Sequence, residues 1–532
     1  MTNPAEASCI GDLQEHNWDL IVVGGGITGA GILREAARCG LKVLLVEQRD
    51  YAWGTSSRSS KMVHGGLRYI AQGQIRVTKE SVQERERLMK EAPGLVNLGG
   101  FTMPHYKGKF PGPLAFGTLL TVYDFLAGKK AHSFSDQTAV DHKLIPGLRQ
   151  EGLKGATTFR DAFVDDARLV LRTLDEARLD GGVAVNYCKV VELLKDGQQV
   201  CGVRVEDALS ETSADLKAKV IISATGAWSD NLREQVGQKP VVRPLRGSHL
   251  VLPGWRVPVA QACCFMHPDD GRPVFVFPWE GSTVIGTTDL DHSTSLDDDP
   301  AISEQEVVYL LKAANSEFPS AGIQRKDVTS TWSGVRPVIS SGKNIDPSKE
   351  NREHAIWDDN GLVSVCGGKL TTFRLIARDA LKKASKYLPG ITVPAPASQA
   401  MLFRNYDDVV NDCRFNTLEV GQQKRLRGRF GTRLPDVLAL AKDHEFTRIG
   451  FTDYLWLELR WAAAKEQVRH LDDLLLRRTR IGNLLPEGAR EHLDRVGKVM
   501  AEEAGWSEHY WQSEKSRYKA LWEKSYSLYQ TA

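Results

Sequence analysis

Residues 19–31 read Asp19-Leu20-Ile21-Val22-Val23-Gly24-Gly25-Gly26-Ile27-Thr28-Gly29-Ala30-Gly31, and a second apolar run, Lys42-Val43-Leu44-Leu45-Val46, ends in Glu47. An apolar run that breaks into glycines and reopens as a small-residue helical pattern is the strand-to-helix turn of a dinucleotide site. Gly24 permits the tight turn, and Gly26 lets a phosphate approach the backbone. Gly29, beside Ala30 and Gly31, lets the helix pack closely on the sheet. The N–H groups at the helix start bind the anion, because the helix dipole places partial positive charge there. Glu47 sits where a carboxylate accepts hydrogen bonds from an adenosine ribose, and it disfavours NADP, whose 2′-phosphate it would repel. Strand, glycines, helix and acid in this order specify a βαβ unit for a dinucleotide, and both FAD and NAD stay open.

The chain has 532 residues, enough for two or three domains with substantial cores. Its 69 basic and 67 acidic residues nearly cancel, so no global field recruits nucleic acid. Eight cysteines are scattered with no CxxC and no metal-ligand spacing, so no metal site is expected. With no secretory pattern at the start, they read as reduced thiols in a cytoplasmic setting, and adjacent Cys263 and Cys264 read as strand packing. No apolar run reaches the roughly 18 residues of a membrane span. Leu114 to Leu126, flanked by Lys107, Lys109, Lys129 and Lys130, reads either as an interfacial segment with cationic flanks or as a buried helix.

Past Glu47, residues 53–69 are dense in hydroxyl residues and glycine, which suits a backbone-rich surface wrapped around a ligand. A helix is expected over Thr78 to Lys90, irregular chain over Phe101 to Arg149, and a helix after Asp165 and Asp166, one of which reads as its cap. Residues 183–205 read as a β-rich insertion. Val220 to Ser223 return to the parallel sheet and end in a turn at Gly226. Residues 241–340 read as a mostly antiparallel platform for substrate. Leu362 to Arg374 repeat the strand, glycine turn and helix start. Beyond Pro394 and Pro396 the chain reads as helices, among them Asp453 to Val468 and Glu487 to Glu503. There Lys424, Arg425, Arg427, Arg429 and Arg433 read as a solvated face able to touch anionic lipid.

Several of these stretches, taken in order, resemble one family. Gly24–Gly31, Thr55–Tyr69, Val164–Val170, Ser223–Trp228, Gly247–His249, Ile285–Asp289, Ser333–Pro337 and Gly367–Arg374 are similar to the FAD-dependent glycerol-3-phosphate dehydrogenases, above all the bacterial aerobic respiratory type. His470–Arg480 resembles that family's C-terminal signature. The resemblance implies an α/β fold: a glutathione-reductase-type FAD domain with an embedded substrate sheet, then an α-helical cap. It divides the chain into 17–395 (FAD part about 17–100, 150–240 and 340–395; substrate sheet about 241–339) and 396–532. It further implies oxidation of sn-glycerol 3-phosphate to dihydroxyacetone phosphate, with electrons passed to ubiquinone. The implied setting is a monotopic enzyme on the cytoplasmic face of the inner membrane, with a soluble pool and a homodimer both compatible. FAD is also favoured because a flavin needs wrapping along its full length, which Thr55–Lys61 and the second glycine turn at Gly367 and Gly368 supply.

Oxidising a secondary alcohol requires removal of its proton and transfer of hydride to the flavin, and a phosphate handle requires a cationic clamp. Arg68, Tyr69, Arg352, Lys369 and Thr371 match the family's phosphate pocket. Arg336, before Pro337, is expected to touch substrate and to stabilise a developing alkoxide. His249 is the most plausible neutral base, since imidazole accepts a proton near pH 7, although a histidine satisfied within the core reads the same way. Gly24, Gly26, Gly29, Glu47, Thr55, Ser56, Ser59, Lys61, His64, Gly226, Gly368, Leu370 and Thr371 are assigned to the cofactor. Three rivals stand beside this reading: an oxidase of the same family that makes hydrogen peroxide, a flavin amine or amino-acid oxidase on the same nucleotide fold, and, outside the enzymes, an FAD-stabilised membrane-associated scaffold.

Overall fold

The computed structural model describes residues 10–67, 70, 74–128, 132–136, 143–342, 350, 353–393, 400–404 and 410–528. Strand β1 (Trp18–Val23) runs into helix α1 (Ile27–Arg38), and β2 (Val43–Val46) pairs with β1 in parallel, as the glycine-rich stretch predicts. On its other side β1 pairs in parallel with β10 (Ser213–Ser223), and β10 with β18 (Leu362–Gly367). With β7 (Val183–Val185) beyond β2, these five strands form the parallel core, and β17 (His354–Asp359) closes one edge antiparallel. Alternate residues of β1 enter different cores. Leu20 and Val22 pack with Ile32 and Leu33 of α1, whereas Ile21 and Val23 pack with Leu193 and Val203. Those two belong to the hairpin β8 (Cys188–Asp196) and β9 (Gln199–Asp207), the expected insertion. Burial on both faces explains why the strands read as continuous apolar runs.

The second sheet contains β11 (Val242–Pro253), β12 (Ala262–Met266), β13 (Pro273–Trp279), β14 (Ser282–Gly286), β15 (Leu290–Asp291) and β16 (Ser330–Ile339). They pair antiparallel, as expected. The sheet also recruits β4 (Val96–Tyr106), β6 (Leu153–Val164), β5 (Ser133–Asp136) and β3 (Met62–Val63). The irregular chain expected from Phe101 is therefore corrected, since β4 is an eleven-residue strand. Pro104 lies past the last β12 pair, at Thr102, where one edge of β4 is open and a missing donor is tolerated.

Five further helices and a cap complete the frame: α2 (Ile75–Glu91), α3 (Pro113–Ala127), α4 (Asp166–Leu179), α5 (Glu304–Glu317), α6 (Phe373–Ala384) and, in the cap, α7 (Trp456–Lys465), α8 (Leu493–Ala504) and α9 (Glu508–Ser525). Asp165 caps α4, its side chain accepting from Arg168 N. Helix α3 turns Phe116, Leu120 and Tyr123 inward and leaves Leu114 86% and Phe125 83% exposed. The basic cluster near 429 is corrected. Arg429 is buried and pairs with Asp165 and Glu280, and Arg425 pairs with Glu280 and Glu458. Arg477 and Arg478 pair with Asp50, and Arg480 with Asp165 and Asp166. These pairs fasten the cap to both sheets, and removing one partner would leave an uncompensated buried charge. The junction expected near 395 lies outside the described residues.

Candidate active site

At the end of β1, Gly24 has φ +111°, and a Cβ there would sit 2.6 Å from the carbonyl oxygen of Ala224 at the end of β10. A Cβ on Gly29 would overlap the carbonyl of Gly24, and one on Gly31 would lie 2.8 Å from the ring of Phe373. Sequence reasoning gave Gly25 no role, yet its N–H donates to Glu47 Oε2 at 2.6 Å, and a Cβ would meet the Glu47 side chain at 2.9 Å. Arg49 N donates to Glu47 Oε1 at 2.8 Å. Burial pushes the pKa of Glu47 up, against these two hydrogen bonds. A carboxylate offers about four acceptor sites, so the brace leaves acceptors for ribose hydroxyls. A Cβ on Gly26 would approach only Ser56 Oγ, and one on Gly226 would enter open space. Backbone at a helix start, an acid and uncrowded glycines fit the adenosine-diphosphate end of FAD.

The hydroxyl-rich loop turns several side chains inward. Ser56 Oγ accepts from Ile27 N at 2.9 Å, the first N–H of α1, and Thr55 Oγ1 donates to the Val335 carbonyl. Ser59 donates through N and Oγ to Asp166. Lys61, 1% exposed, donates to Asp166 at 2.9 Å and to the Ser57 carbonyl at 2.6 Å, beneath Trp279 and Trp332. Burial and the charge of Arg480 push its pKa down to about 7, with Asp166 opposing. His64 is exposed to solvent although protein surrounds it, as in a cleft wall, and burial lowers its pKa.

Thr371 Oγ1 donates to the His64 carbonyl at 3.3 Å, which joins this loop to the second glycine turn. There Gly367 and Gly368 have φ +76° and +84°, and a Cβ on Gly367 would sit 2.6 Å from the Glu353 carbonyl. Lys369 follows, half-buried, its Nζ donating to Ser81 Oγ of α2 at 3.2 Å. Burial pushes its pKa down to about 7, opposed by Glu353 and Glu80. Leu370 begins the short 3-10 turn that precedes α6.

The other flank of the loop is the β11–β16 pair. Leu245 lies opposite Arg336, Gly247 opposite Gly334, and His249 opposite Trp332, so all face one side of the sheet. The guanidinium of Arg336 lies over Gly247, where any Cβ would overlap it. It donates to Asp289 Oδ1 at 3.0 Å, the Thr288 carbonyl at 3.4 Å and Thr287 Oγ1 at 3.3 Å, with 26% of the side chain exposed. His249 is 1% exposed and stacks on Trp332, ring centroids 5.0 Å apart. Its Nε2 lies 2.9 Å from Ser60 Oγ, and its Nδ1 has no hydrogen-bond partner among the described residues. Burial, reinforced by the charges of Arg336 and Lys61, holds its pKa well below 6.5, so the ring is neutral at physiological pH.

The loop over residues 55–64 thus carries His249 and Arg336 on one side and Lys369 and Thr371 on the other. Arg68, Tyr69 and Arg352 lie outside the described residues. The partners of Arg336, namely Thr287, Thr288 and Asp289, and the glycine beneath it were not assigned from sequence, although they fall in the quoted stretches Ile285–Asp289 and Gly247–His249.

The family model described as FAD dependent oxidoreductase matches residues 19–378, and that for the C-terminal domain of alpha-glycerophosphate oxidase matches residues 386–510. The chain is 32% identical, over 92% of both chains, to the aerobic glycerol-3-phosphate dehydrogenase of Staphylococcus aureus strain USA300. This chain belongs to the FAD-dependent glycerol-3-phosphate dehydrogenase and oxidase family. A structure of the glycerol-3-phosphate dehydrogenase from Bacillus halodurans complexed with FAD superposes with TM-score 0.78, at 28% identity over 100% of both chains. The L-alpha-glycerophosphate oxidase from Mycoplasma pneumoniae shares the fold, with TM-score 0.57 and 18% identity over 74% of this chain and 100% of its own. As a member of this family the protein is a flavoenzyme, and the expected fold class and FAD are borne out.

Proposed function

We propose that the protein oxidises sn-glycerol 3-phosphate to dihydroxyacetone phosphate by hydride transfer to FAD and passes the electrons to ubiquinone at the cytoplasmic face of the inner membrane. The observation that carries this reading is Lys369, half-buried in the second glycine turn, which Thr371 ties to the same glycine- and hydroxyl-rich loop that Ser60 joins to His249. An amino-acid substrate needs one carboxylate clamp, whereas a phosphate dianion uses several cations, each charge-assisted hydrogen bond contributing about 1.5–3 kcal/mol.

In this reading Lys369 and Thr371, with Arg68, Tyr69 and Arg352, hold the phosphate. Arg336 points its exposed N–H groups at the alcohol oxygen and stabilises negative charge as the proton leaves. Its bond to Asp289 fixes the orientation of the planar fork. His249 stays neutral against Trp332 and takes the alcohol proton through Ser60, which its Nε2 contacts. FAD, when bound, supplies the hydride acceptor.

The membrane part of the reading rests on α3. Phe110 (77%), Leu114, Phe125 and Phe134 (50%) are each exposed on α3 and the segments flanking it in sequence, and Lys107 and Lys109 just before it are exposed too. That is the composition of a face that enters the headgroup boundary of a bilayer, and no helix of the described residues is long and apolar enough to cross one. To test the acceptor, the protein is reduced anaerobically with glycerol 3-phosphate and then mixed with either short-chain ubiquinone or dissolved oxygen. Faster reoxidation by quinone is expected, whereas rapid peroxide formation without quinone would assign the oxidase activity instead.

A further inference from the structure

The sheet that carries Arg336 and His249 has a second face, and one carboxylate there reaches the segments behind both residues. Glu306, in the first turn of α5, is 1% exposed. Its Oε1 accepts from Ser248 Oγ at 2.8 Å and from Thr288 Oγ1 at 2.7 Å. Its Oε2 accepts from Arg246 Nη2 at 2.8 Å and from Ser303 N at 2.9 Å. Ser248 immediately precedes His249, and neighbours along a strand point to opposite faces. Ser248 N donates to Thr288 Oγ1 at 2.9 Å, and Ser248 Oγ lies 2.7 Å from Ser333 Oγ on β16. Thr288 is the residue whose carbonyl accepts from Arg336, and its neighbours Thr287 and Asp289 provide the other two acceptors.

We propose that Glu306 is a positioning residue for Arg336: by clamping Thr288 to Ser248 it fixes the Thr287–Asp289 segment that aims the guanidinium over Gly247. The helix cap does not account for the arrangement. The capping box with Ser303 uses Oε2 alone, and it works as well at an exposed position. Oε1 is spent entirely on the two site segments, and burying an ionised carboxylate is costly unless it is paired and hydrogen-bonded. The paired cation is Arg246, one residue beyond Gly247 on β11. Hydrogen bonds from Thr288, Ser303 and Ser248, with the charge of Arg246, outweigh burial and hold the carboxyl below its usual range. The proposal rests on the assignment of Arg336 to substrate made above.

The test uses the full-length FAD-loaded protein. Glu306→Gln keeps shape and cap but removes the charge, and Thr288→Val removes only the hydroxyl link, so a folding failure of the first leaves the second. Dihydroxyacetone phosphate is titrated into the oxidised protein by calorimetry, alongside kcat and KM for glycerol 3-phosphate. Each substitution is expected to weaken product binding about tenfold while FAD content is retained, and to have no further effect in an Arg336→Ala background, because contacting residues couple non-additively. Unchanged affinity, or losses that add to that of Arg336→Ala, would overturn the proposal. If Arg336→Ala itself bound product normally, the assignment beneath it would fall, and the proposal with it.

Discussion

Two strands of the parallel sheet end in glycines and lead into helices that pack on each other through Gly31 and Phe373, yet their turns are built for different work. After β1 the helix begins at once at Ile27, and the turn itself is three glycines, braced by Glu47 and Ser56 side chains and by the Ala224 carbonyl. After β18 a lysine intervenes and a 3-10 turn, Leu370–Thr372, precedes the helix. The first turn uses main-chain N–H groups, which are rigid and cannot titrate. The second displays side chains, one of them a lysine held near neutrality by its surroundings. In the proposed reading, one supersecondary geometry serves as a cradle in one copy and as a site for chemistry in the other.

Substitutions at the two turns are expected to differ in sign. Gly29→Ala forces a methyl into the Gly24 carbonyl, a backbone atom that cannot give way, and should destabilise the protein by about 3 kcal/mol. Denaturant melts and the ratio of flavin to protein absorbance in the purified variant check this. A protein that keeps its stability and FAD would mean the turn is looser than described.

Lys369→Met should weaken glycerol 3-phosphate binding by roughly 10- to 100-fold, the loss of one charge-assisted hydrogen bond, yet raise the thermal midpoint at pH 6.5. The folded-state pKa of Lys369, about 7, lies below its ordinary 10.5, so between those values the unfolded chain binds the extra proton and stability rises with pH. The penalty is therefore fully present below pH 7 and vanishes above about 10.5. Melts from pH 6 to pH 10 should show the advantage of the methionine variant shrinking as pH rises, and a constant difference would refute the buried-lysine account. Smallest in stability is Leu114→Glu with Phe125→Glu on α3, expected within about 0.5 kcal/mol of the parent because both side chains are exposed. The same pair should abolish flotation with anionic vesicles, and retained flotation would remove α3 from the membrane reading.

The parallel core was legible because strands buried on both faces read as apolar runs, and glycines at their ends mark the turns. Strand β4 was hidden by Gly99, Gly100 and Pro104, which break the alternation that identifies a strand, and only the open edge beyond Thr102 explains how the proline fits. The cap junction was illegible for another reason. Arg429 reaches Asp165 across 264 residues of sequence, and no local pattern separates such an arginine from a solvated one. Lys61 is similar: its ammonium lies against Asp166, 105 residues away in sequence, a pairing that no local pattern discloses. Arg336 and His249 could be picked out by residue type and neighbouring motif. The glycine beneath the guanidinium, the loop that aims it and the tryptophan that holds the imidazole depend on strand register, which appears only once β11 and β16 are paired.

In the proposed function Arg336 acts on the phosphorylated alcohol whose hydride the flavin takes. The direct test is anaerobic mixing of the FAD-loaded protein with glycerol 3-phosphate, following flavin bleaching in the parent and in Arg336→Ala. The parent should bleach completely and the variant roughly 100- to 1,000-fold more slowly, the cost of one preorganised donor to a developing oxyanion. Bleaching of the variant at the parental rate, or a parent that an amino acid bleaches and glycerol 3-phosphate does not, would contradict the account.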